Sequence, residues 1–483
     1  MRSRRLLAVA AGTAALAGGV AAPAGAQSSE VVSLLQQLVR IDTSNPPGNE
    51  ALVDELLRAR LEPLGFQVEI IPTPAAGKSH LIARLPATAP TGEKPLLLAG
   101  HADVVGVERA LWTKDPFGGT IEGDRLFGRG AMDFKGGLAA FTVAAERLAT
   151  SGTPRGRDLI LLAEADEEGG AYGTTWLAEN HWDKIDAGES INEGGWIFAG
   201  GRSGARLMGI TTIDKNSLSV TFRTRGTSTH SSRPLPDSAL RRLVRALDRV
   251  EGHDEAPRLT PAARTYLRAW SRVTTRSTAQ RLRRLLSTRR PAVRRRLADQ
   301  LQDGPFGELY DGLIRDIFVP TIISGGFRAN VLPGTAEATV NMRMLPGTKP
   351  RPLIRRLQRV VADPGVQITP IVTGDSTVEE TLDAFDERAE QAPTSVDTDL
   401  YRSLVREGRA QWPGVRVTPA LFEAGTDATP WRQRGIPVYG VYPYPITHDD
   451  LKAMHGNDER VPIRGLEQGT DMLTRVVADA VAP

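Results

Sequence analysis

The chain has 483 residues, of which 40% are hydrophobic and 24% are charged. This length exceeds what one compact core usually holds, so we expect two globular domains. The formal net charge is only +3, which gives no reason to expect a nucleic acid as partner. The absence of cysteine excludes disulfide bonds, thiolate zinc sites and a cysteine nucleophile, and it leaves histidine and carboxylate as the strong metal ligands.

Residues 1–26 have the pattern of an export signal. Basic residues near the start precede an apolar stretch, and Ala24-Gly25-Ala26 provides a small-residue cleavage site before Gln27. A membrane anchor is the weaker alternative, because glycine and proline interrupt the short apolar run. The pair Arg4-Arg5 leaves twin-arginine export open beside the ordinary route. We therefore predict an exported protein, either periplasmic or secreted.

Apolar runs that end in polar residues alternate with helical patterns over residues 30–212. The run at 96–99 is followed by Gly100, His101 and Asp103, and the run at 158–163 is followed by the acidic segment 164–168. Because side chains alternate along a strand, His101 and Asp103 are expected to point the same way. The repeat of strand, polar loop and helix is typical of an α/β domain whose site lies at the carboxyl ends of its strands.

The pattern changes between residues 213 and 378. Apart from one insert, the order there is strand, helix, two strands, helix and strand, which is a β-α-β-β-α-β unit. Such a unit predicts a smaller α+β domain that interrupts the α/β domain and divides it into residues 27–212 and 379–483. The two linkers between the domains are expected to permit hinge motion.

The insert, residues 257–304, is rich in arginine. Leu282, Leu285 and Leu297 recur near helical spacing, while arginines fill the other helical faces. A solvated helical face is the favoured interpretation. Contact with an anionic membrane or cell-wall polymer, and contact with a protein partner, are the alternatives.

Five residues on strand ends and loops are candidate metal ligands: His101, Asp133, Glu168, Glu193 and His455. Each one alone has an ordinary explanation, since a lone histidine is more often structural and acidic residues usually lie at the surface. Together they suit a pair of zinc ions better than one structural tetrahedral site, because the ligands come from distant parts of the chain.

Five segments together resemble the dinuclear zinc metallopeptidase family of aminoacylase, carboxypeptidase S, glutamate carboxypeptidase and succinyl-diaminopimelate desuccinylase. They occur in the family's order across nearly the whole mature chain, and the long inserted domain looks most like the carboxypeptidase S branch. The segments are Gly100-His101-Ala102-Asp103, Gly128-Arg129-Gly130-Ala131-Met132-Asp133, Asp166-Glu167-Glu168-Gly169-Gly170, Asn192-Glu193-Gly194-Gly195 and Met454-His455-Gly456-Asn457-Asp458-Glu459-Arg460.

The resemblance implies how the five candidate ligands are shared. Asp133 would bridge two Zn²⁺ ions, with His101 and Glu193 completing one site and Glu168 and His455 the other. Co²⁺ or Mn²⁺ would be able to substitute for zinc. The fold implied is a zinc-exopeptidase α/β catalytic domain interrupted by a smaller α+β domain that serves as lid and dimerisation domain.

Three further roles follow from the same likeness. Asp103 would orient the ring of His101 from behind. Glu167 would be the general base, which takes the proton of the attacking water and later passes it to the leaving amine. His448 competes with His455 as a ligand, but only His455 is followed by the family's Gly-Asn and Glu-Arg.

The inserted domain and the chain after it also carry candidate site residues. Residues 226–234 resemble the family's histidine loop, so His230 would reach into the partner's site of a homodimer and stabilise the oxyanion, although an ordinary polar turn is the alternative. Asn330 and Arg343 resemble the residues that bind the substrate carboxylate. Gly425 and Thr426 resemble a further substrate-binding loop.

The resemblance implies an exported dinuclear zinc hydrolase that cleaves the amide bond of short peptides or N-acyl amino acids carrying a free carboxylate. Glu193 favours N-acyl amino acids or short peptides, because the family uses glutamate here more often in aminoacylase-like members. Peptidase and aminoacylase activity both stay open at this point. A catalytically silent exported binding protein with the same fold is the alternative, and the presence of Glu167 argues for the enzyme.

Overall fold

The computed structural model describes residues 29–201, 204–374 and 376–483. The expected export signal, residues 1–26, lies outside the described residues. Within the described ranges, no helix is long and apolar enough to cross a membrane.

The described residues form sixteen α-helices and twenty-one β-strands. The helices are α1 (Glu30–Arg40), α2 (Glu50–Leu61), α3 (Lys135–Thr150), α4 (Thr174–Asn180), α5 (Trp182–Ile185), α6 (Ala239–Glu251), α7 (Pro261–Trp270), α8 (Arg276–Ser287), α9 (Pro291–Gln302), α10 (Gly307–Gly312), α11 (Pro350–Val361), α12 (Val378–Ala389), α13 (Asp399–Gln411), α14 (Thr429–Gln433), α15 (His448–Ala453) and α16 (Ile463–Ala480). The strands are β1 (Ser44–Asn45), β2 (Gln67–Pro72), β3 (Ser79–Leu85), β4 (Leu96–His101), β5 (Val104–Val105), β6 (Thr120–Glu122), β7 (Arg125–Phe127), β8 (Leu159–Glu164), β9 (Glu189–Asn192), β10 (Ile197–Ala199), β11 (Ala205–Asp214), β12 (Asn216–Arg225), β13 (Thr229–His230), β14 (Ile317–Gly325), β15 (Val331–Leu332), β16 (Thr335–Met344), β17 (Val366–Pro370), β18 (Arg416–Phe422), β19 (Val438–Gly440), β20 (Pro445–Ile446) and β21 (Arg460–Pro462).

The larger sheet has the strand order β2-β3-β8-β4-β9-β19-β11-β10-β20, with β18 paired to β11. Strand β4 is parallel to both β8 and β9, and every residue of β4 and β8 is buried, as their continuous apolar runs predict. His101 lies directly opposite Glu164 in this ladder. The loops that follow β4, β8 and β9 therefore meet at one edge of the sheet, which confirms the α/β prediction.

The smaller sheet has the order β14-β16-β12-β17, and all its pairings are antiparallel. Buried and less buried residues alternate along β16, and the buried side packs with α6 and α11 in a separate apolar core. The predicted β-α-β-β-α-β unit is confirmed. We call this sheet with α6 and α11 the lid.

The arginine-rich helices α7, α8 and α9 pack with the larger core, not with the lid. Leu267, Trp270, Leu285 and Leu297 are buried in the same apolar cluster as the strands of the larger sheet, and α7 packs directly on β18. The sequence prediction included this segment in the smaller domain, and the packing corrects that assignment. An amphipathic pattern reveals an apolar face but not which core covers it.

Helix α12 requires the opposite correction. The sequence prediction began the second part of the catalytic domain at residue 379, yet Leu382 is buried in the lid core. Arg351 of α11 forms ion pairs with Glu379, Asp383 and Asp386 of α12. The acidic face of α12 thus complements α11, and this helix is part of the lid.

Candidate active site

The first group of polar side chains lies at the ends of β4 and β9. The Nε2 atom of His101 is 3.3 Å from Oδ1 of Asp133 and 3.4 Å from Oε2 of Glu193. All three side chains are buried. Burial alone would lower the pKa of His101, but the surrounding carboxylates of Asp103, Asp133 and Glu193 outweigh it and raise that pKa well above its usual range.

The second group shares Asp133 with the first. The Nε2 atom of His455 is 2.9 Å from Oδ2 of Asp133 and 3.0 Å from Oε1 of Glu168. His455 adopts a left-handed backbone conformation with φ of 57°, which is uncommon outside glycine and is often found at functional sites. The loop before β21 is thereby shaped to turn this imidazole toward the carboxylates.

The two oxygens of Asp133 face different histidines. Oδ1 faces His101 and Oδ2 faces His455, so one carboxylate joins the two groups. Burial would raise the pKa of Asp133, but hydrogen bonds from the two histidines reverse this and lower it below its usual range. Asp133 is therefore ionised and has the geometry of a bridging ligand.

Glu167 lies beside both groups, in the loop after β8. Its carboxylate belongs to a cluster with His101 and Glu168 in which ligand atoms lie within 4.8 Å of one another. Burial, followed by repulsion from Glu193, raises the pKa of Glu167 well above its usual range. A carboxylate made more basic in this way is suited to accept a proton.

Asp103 holds the backbone of this loop. Its carboxylate accepts hydrogen bonds from the main-chain N–H of Glu167 at 3.2 Å and of Glu168 at 3.0 Å. The Nδ1 atom of His101 is 2.9 Å from the main-chain oxygen of Asp103 and 3.5 Å from its carboxylate. Asp103 thus orients the His101 ring mainly through its main-chain oxygen. Its side chain instead holds the loop that carries Glu167, a role that was not predicted from the sequence.

A buried lysine, Lys78, supports the carboxylate of Asp103 indirectly, through Asn45 and Asp166. Asn45 donates to Asp103 and to Asp166, at 2.8 Å in both cases, and Lys78 donates to Asn45 at 2.9 Å and forms an ion pair with Asp166. Asp166 also accepts from the main-chain N–H of Tyr172 at 2.9 Å. This network was missed from the sequence. The only signal was that Asn45 belongs to the polar turn between α1 and α2.

Tyr442 was also missed. Its hydroxyl donates to Oδ1 of Asp133 at 2.7 Å and lies 3.2 Å from Oε2 of Glu193. The ring is buried and stacks on Trp196 with a centroid distance of 4.3 Å. Because Tyr442 stands in an apolar stretch, its sequence context suggests only a core aromatic.

A buried ion pair connects the loops that carry Asp133 and His455. Arg129 and Glu459 approach to 2.5 Å, and Glu459 accepts hydrogen bonds from the main-chain N–H of Met132 and Asp133. Arg129 also donates to the main-chain oxygens of the residues at 455 and 456. In the sequence, this connection was indicated only by the opposite charges of Arg129 in one motif segment and Glu459 in another.

The donor set fits a pair of divalent cations. Two imidazoles and several carboxylates converge here, with His101, Asp133 and Glu193 buried and His455 exposed, and these are the nitrogen and oxygen donors that zinc accepts in catalytic sites. Burial raises the pKa of Glu193 to about 7 and also raises that of Glu164 and Asp427, and neighbouring carboxylates add to each increase. Bound cations would favour the ionised form of these groups.

Arg343 is a predicted site residue of the lid that lies near the carboxylates of this centre. Burial lowers the pKa of Arg343, while the carboxylates of Glu167, Glu168 and Glu423 lie close enough to oppose that effect. Among the described residues, none forms an ion pair or a hydrogen bond with its guanidinium. Arg343 therefore approaches the cleft from the lid with its hydrogen-bonding fork free.

His230 and Asn330 are exposed neighbours on the lid and do not join the centre of their own chain. They lie on the short ladder of β13 with β15, where the main-chain oxygen of Asn330 accepts from Ser231 at 2.9 Å. Thr426 lies in the loop after β18, where its hydroxyl donates a hydrogen bond to Asp214 at 2.6 Å. Gly425 directly precedes it in the same loop.

His448 lies outside the centre. Its Nε2 atom is 2.6 Å from a carboxylate oxygen of Glu308 and accepts from the main-chain N–H of Phe306. Of the two competing histidines, only His455 stands beside Asp133 and Glu168.

Comparisons with known proteins show which proteins the chain is similar to. The chain is 28% identical over 397 residues to a probable carboxypeptidase S-like protein 2 of Dictyostelium discoideum, covering 80% of this chain and 71% of that protein. It is 25% identical over 402 residues to the human N-fatty-acyl-amino acid synthase/hydrolase PM20D1, covering 80% and 74%. An M20 family metallo-carboxypeptidase from Sulfolobus solfataricus has the same fold, with a TM-score of 0.67, 18% identity and coverage of 93% and 99%.

The sequence pattern of the peptidase family M20/M25/M40 matches residues 97–479, which include all five residues gathered around Asp133. The match covers most of the chain and both of its domains. The chain therefore belongs to peptidase family M20/M25/M40 and is a hydrolase of peptides or acyl amino acids.

Proposed function

We propose that the chain is an exported dinuclear zinc hydrolase that cleaves the amide bond of short peptides or N-acyl amino acids with a free carboxylate. The observation that carries the proposal is the division of the Asp133 oxygens between His101 and His455, with Glu167 beside both groups. A single buried carboxylate with two histidines on opposite oxygens has the arrangement that a shared ligand of two metals requires.

His101, Asp133 and Glu193 would hold one ion, and Asp133, Glu168 and His455 the other. When bound, Zn²⁺ would lower the pKa of water and polarise the carbonyl of the substrate. Co²⁺ or Mn²⁺ would be accepted by the same imidazole and carboxylate donors. Tyr442 would fix Asp133 and Glu193 through its hydroxyl.

Glu167 would act as the general base. Its raised pKa favours taking a proton from water, and the same acid would then donate that proton to the leaving amine. Asp103 supports this role, because it holds the backbone N–H groups of both Glu167 and Glu168. The two neighbouring carboxylates can thus serve different purposes from one rigid loop.

Arg343 would hold the free carboxylate of the substrate. A guanidinium binds a carboxylate through two parallel hydrogen bonds, and this one has no hydrogen-bond partner among the described residues. The main chain of Gly425 and Thr426 would complete the substrate contacts, since the Thr426 hydroxyl is held by Asp214. Asn330, which lies away from the centre of its own chain, would contribute in the site of a partner subunit, as proposed for His230. A requirement for a free carboxylate follows from this assignment.

The lid would form the interface of a homodimer. Strand β14 is at the edge of its sheet, and it exposes Val319, Ile322 and Ile323, with Ile322 63% exposed. Leu240 and Val244 of the neighbouring α6 are exposed as well. An exposed apolar edge strand is a ready surface for pairing with a second copy. His230 would then reach the partner's site and stabilise the oxyanion.

Export would follow from residues 1–26, with mature protein beginning near Gln27. N-terminal sequencing of the protein recovered outside the cytoplasm of its native host tests this directly. The expected start is Gln27. Recovery of uncleaved protein only from the cytoplasm would contradict export and leave the hydrolase assignment intact.

The experiment for the proposed activity is turnover of a mixed library of dipeptides and N-acyl amino acids by zinc-loaded protein, followed by mass spectrometry. Glu167→Gln should retain zinc and lose about 10²- to 10⁴-fold in turnover, because it removes the proton acceptor. Glu179→Gln, an exposed change on α4, is the matched control and should keep full activity.

The products separate the candidate activities. Cleavage of dipeptides alone would establish a peptidase, and acyl release alone would establish an aminoacylase. Two bound zinc ions with no turnover of either class would contradict the hydrolase and identify a silent binding protein. Full turnover by Glu167→Gln would remove Glu167 from its role.

A further inference from the structure

The segment from residue 264 to residue 296 carries twelve arginines, no lysine and no acidic residue. The net charge of the whole chain is only +3, so the rest of the chain is net negative and the positive charge is concentrated here. Ten of the twelve side chains are exposed. We call this set the arginine face: Arg268, Arg272, Arg276, Arg281, Arg283, Arg284, Arg289, Arg290, Arg295 and Arg296.

The charges of the arginine face are not neutralised within the chain. In the described residues, none of the twelve arginines lies within ion-pair distance of a carboxylate, whereas Arg351 of the lid alone pairs with three. The hydrogen bonds that the segment's arginines do make go to main-chain oxygens, as from Arg294 to Thr288 at 3.0 Å. A concentration of like charge without internal counter-ions favours an external anionic partner.

The apolar side of the same helices is already covered. Leu282, Leu285 and Leu297 pack into the larger core, and the aromatic rings of Tyr266 and Trp270 are buried with them. The helices therefore have no apolar face left to insert between acyl chains. They also present no exposed aromatic ring on which a nucleic-acid base would stack.

We propose that the arginine face docks the protein onto a membrane surface rich in anionic phospholipid, by electrostatic attraction alone. Its exposed guanidiniums come from α7, α8, α9 and their connections, and each can bind a phosphate headgroup through two hydrogen bonds. Clusters of four to eight basic residues suffice for such recognition, and each basic residue near an anionic leaflet increases the affinity about fivefold. The arginine face exceeds that number.

The test uses the full-length protein and sedimentation with vesicles. One vesicle population is pure phosphatidylcholine and the other contains about one-third phosphatidylglycerol. The protein should sediment with the anionic vesicles only. Raising the salt from about 0.1 M to about 1 M shortens the screening length from about 10 Å to about 3 Å and should release it.

Two variants that each lose three positive charges distinguish binding by the arginine face from an effect of the net charge alone. The test variant combines Arg284→Gln, Arg289→Gln and Arg296→Gln, and its affinity for anionic vesicles should fall on the order of a hundredfold. The control variant combines Arg355→Gln, Arg359→Gln and Arg409→Gln, which are exposed and lie outside the arginine face, and it should bind like the parent. Unchanged urea unfolding of both variants shows that the fold is retained.

Four results would overturn the proposal. They are equal binding by the two variants, equal binding to neutral and anionic vesicles, binding of a DNA oligonucleotide without binding of vesicles, and salt-sensitive self-association that only the test variant loses. The last two would assign the arginine face to a nucleic acid or to a second copy of the chain. The salt dependence of the parent protein tests the proposal even if a variant does not fold.

Discussion

Asp133 and Tyr442 form one unit at the centre of the site. Asp133 gives one oxygen to each histidine, and the Tyr442 hydroxyl donates to the oxygen that faces His101. A hydrogen-bond donor at this position restrains the carboxylate and reduces its freedom to turn. Tyr442 would therefore orient a metal ligand without binding the metal itself. Substitution of such residues commonly lowers metal affinity or activity.

We predict that Tyr442→Phe retains the fold and lowers zinc affinity or kcat/KM by about 10- to 100-fold, because Asp133 loses the hydrogen bond from the hydroxyl that also lies beside Glu193. Competition with a fluorescent chelator measures the affinity. Tyr439→Phe is the control, since that hydroxyl bonds to Thr398 and Ser395. Equal effects of the two changes would contradict the role of Tyr442.

Lys78 provides a second test at this scale. Lys78→Met leaves Asp166 as a buried charge without its ion-pair partner, and we expect the free energy of unfolding to fall by about 3–5 kcal/mol. Activity should fall as well, because Asp166 and Asn45 position Asp103 beneath the Glu167 loop. Urea unfolding and kcat measure the two effects.

Lys94→Met is the matched control for Lys78→Met. Lys94 pairs with Asp186 at the surface, where an ion pair contributes little, so stability and activity should barely change. If Lys78→Met were as harmless as Lys94→Met, the buried network would have no part in supporting the site.

At the scale of single residues, sequence reasoning identified the groups that the structure gathers around Asp133. It succeeded because those residues end apolar strands or stand in glycine-flanked turns. It missed Tyr442 and Lys78, since a tyrosine in an apolar stretch resembles a core residue and a lysine resembles a surface residue. Only contacts between distant segments distinguish them.

Elements explain how the site is assembled. Strands β4, β8 and β9 are parallel neighbours, so their carboxyl ends deliver His101, Glu167 and Glu193 to one edge of the sheet. The continuous apolar runs of β4 and β8, each followed by polar residues, predicted this kind of arrangement. The pattern of the arginine-rich helices predicted an apolar face correctly, but it did not indicate that the larger core covers that face.

We therefore predict that Leu285→Ala destabilises the whole catalytic domain. The side chain is fully buried in the larger core, so the free energy of unfolding should fall by about 2–5 kcal/mol. Leu52→Ala, which removes a side chain that is 58% exposed on α2, should change little. Urea unfolding followed by tryptophan fluorescence makes the comparison.

A separable insert would behave differently. If α8 unfolded on its own, Leu285→Ala would leave the main unfolding transition unchanged and increase hydrogen exchange only within α7 to α10. That outcome would contradict the packing of the insert with the larger core.

On the scale of the whole molecule, the proposed function gives the lid two roles, one at the cleft and one at the interface of the proposed homodimer. Arg343 approaches the catalytic carboxylates from one side of the lid, while His230 lies on an exposed ladder away from its own site. Sequence order predicted the lid sheet despite the insert between α6 and β14, because the remaining elements keep the β-α-β-β-α-β order. The placement of α12 was missed because its sequence does not reveal that Leu382 packs in the lid core or that its carboxylates pair with Arg351.

A mixing experiment tests the proposed dimer. Neither His230→Ala nor Glu167→Gln should be active alone, but a mixture allowed to exchange subunits should recover about a quarter of the parent activity, because half of the dimers then contain one complete site. No recovery, with exchange demonstrated by native mass spectrometry, would contradict a role of His230 in the partner's site.

The central claim is that Asp133 bridges two metal ions. Anomalous X-ray diffraction at the zinc edge, from crystals of the zinc-loaded protein, tests it most directly. We predict two peaks on opposite sides of the Asp133 carboxylate, one beside His101 and Glu193 and the other beside Glu168 and His455. A single peak, or peaks away from Asp133, would contradict the account.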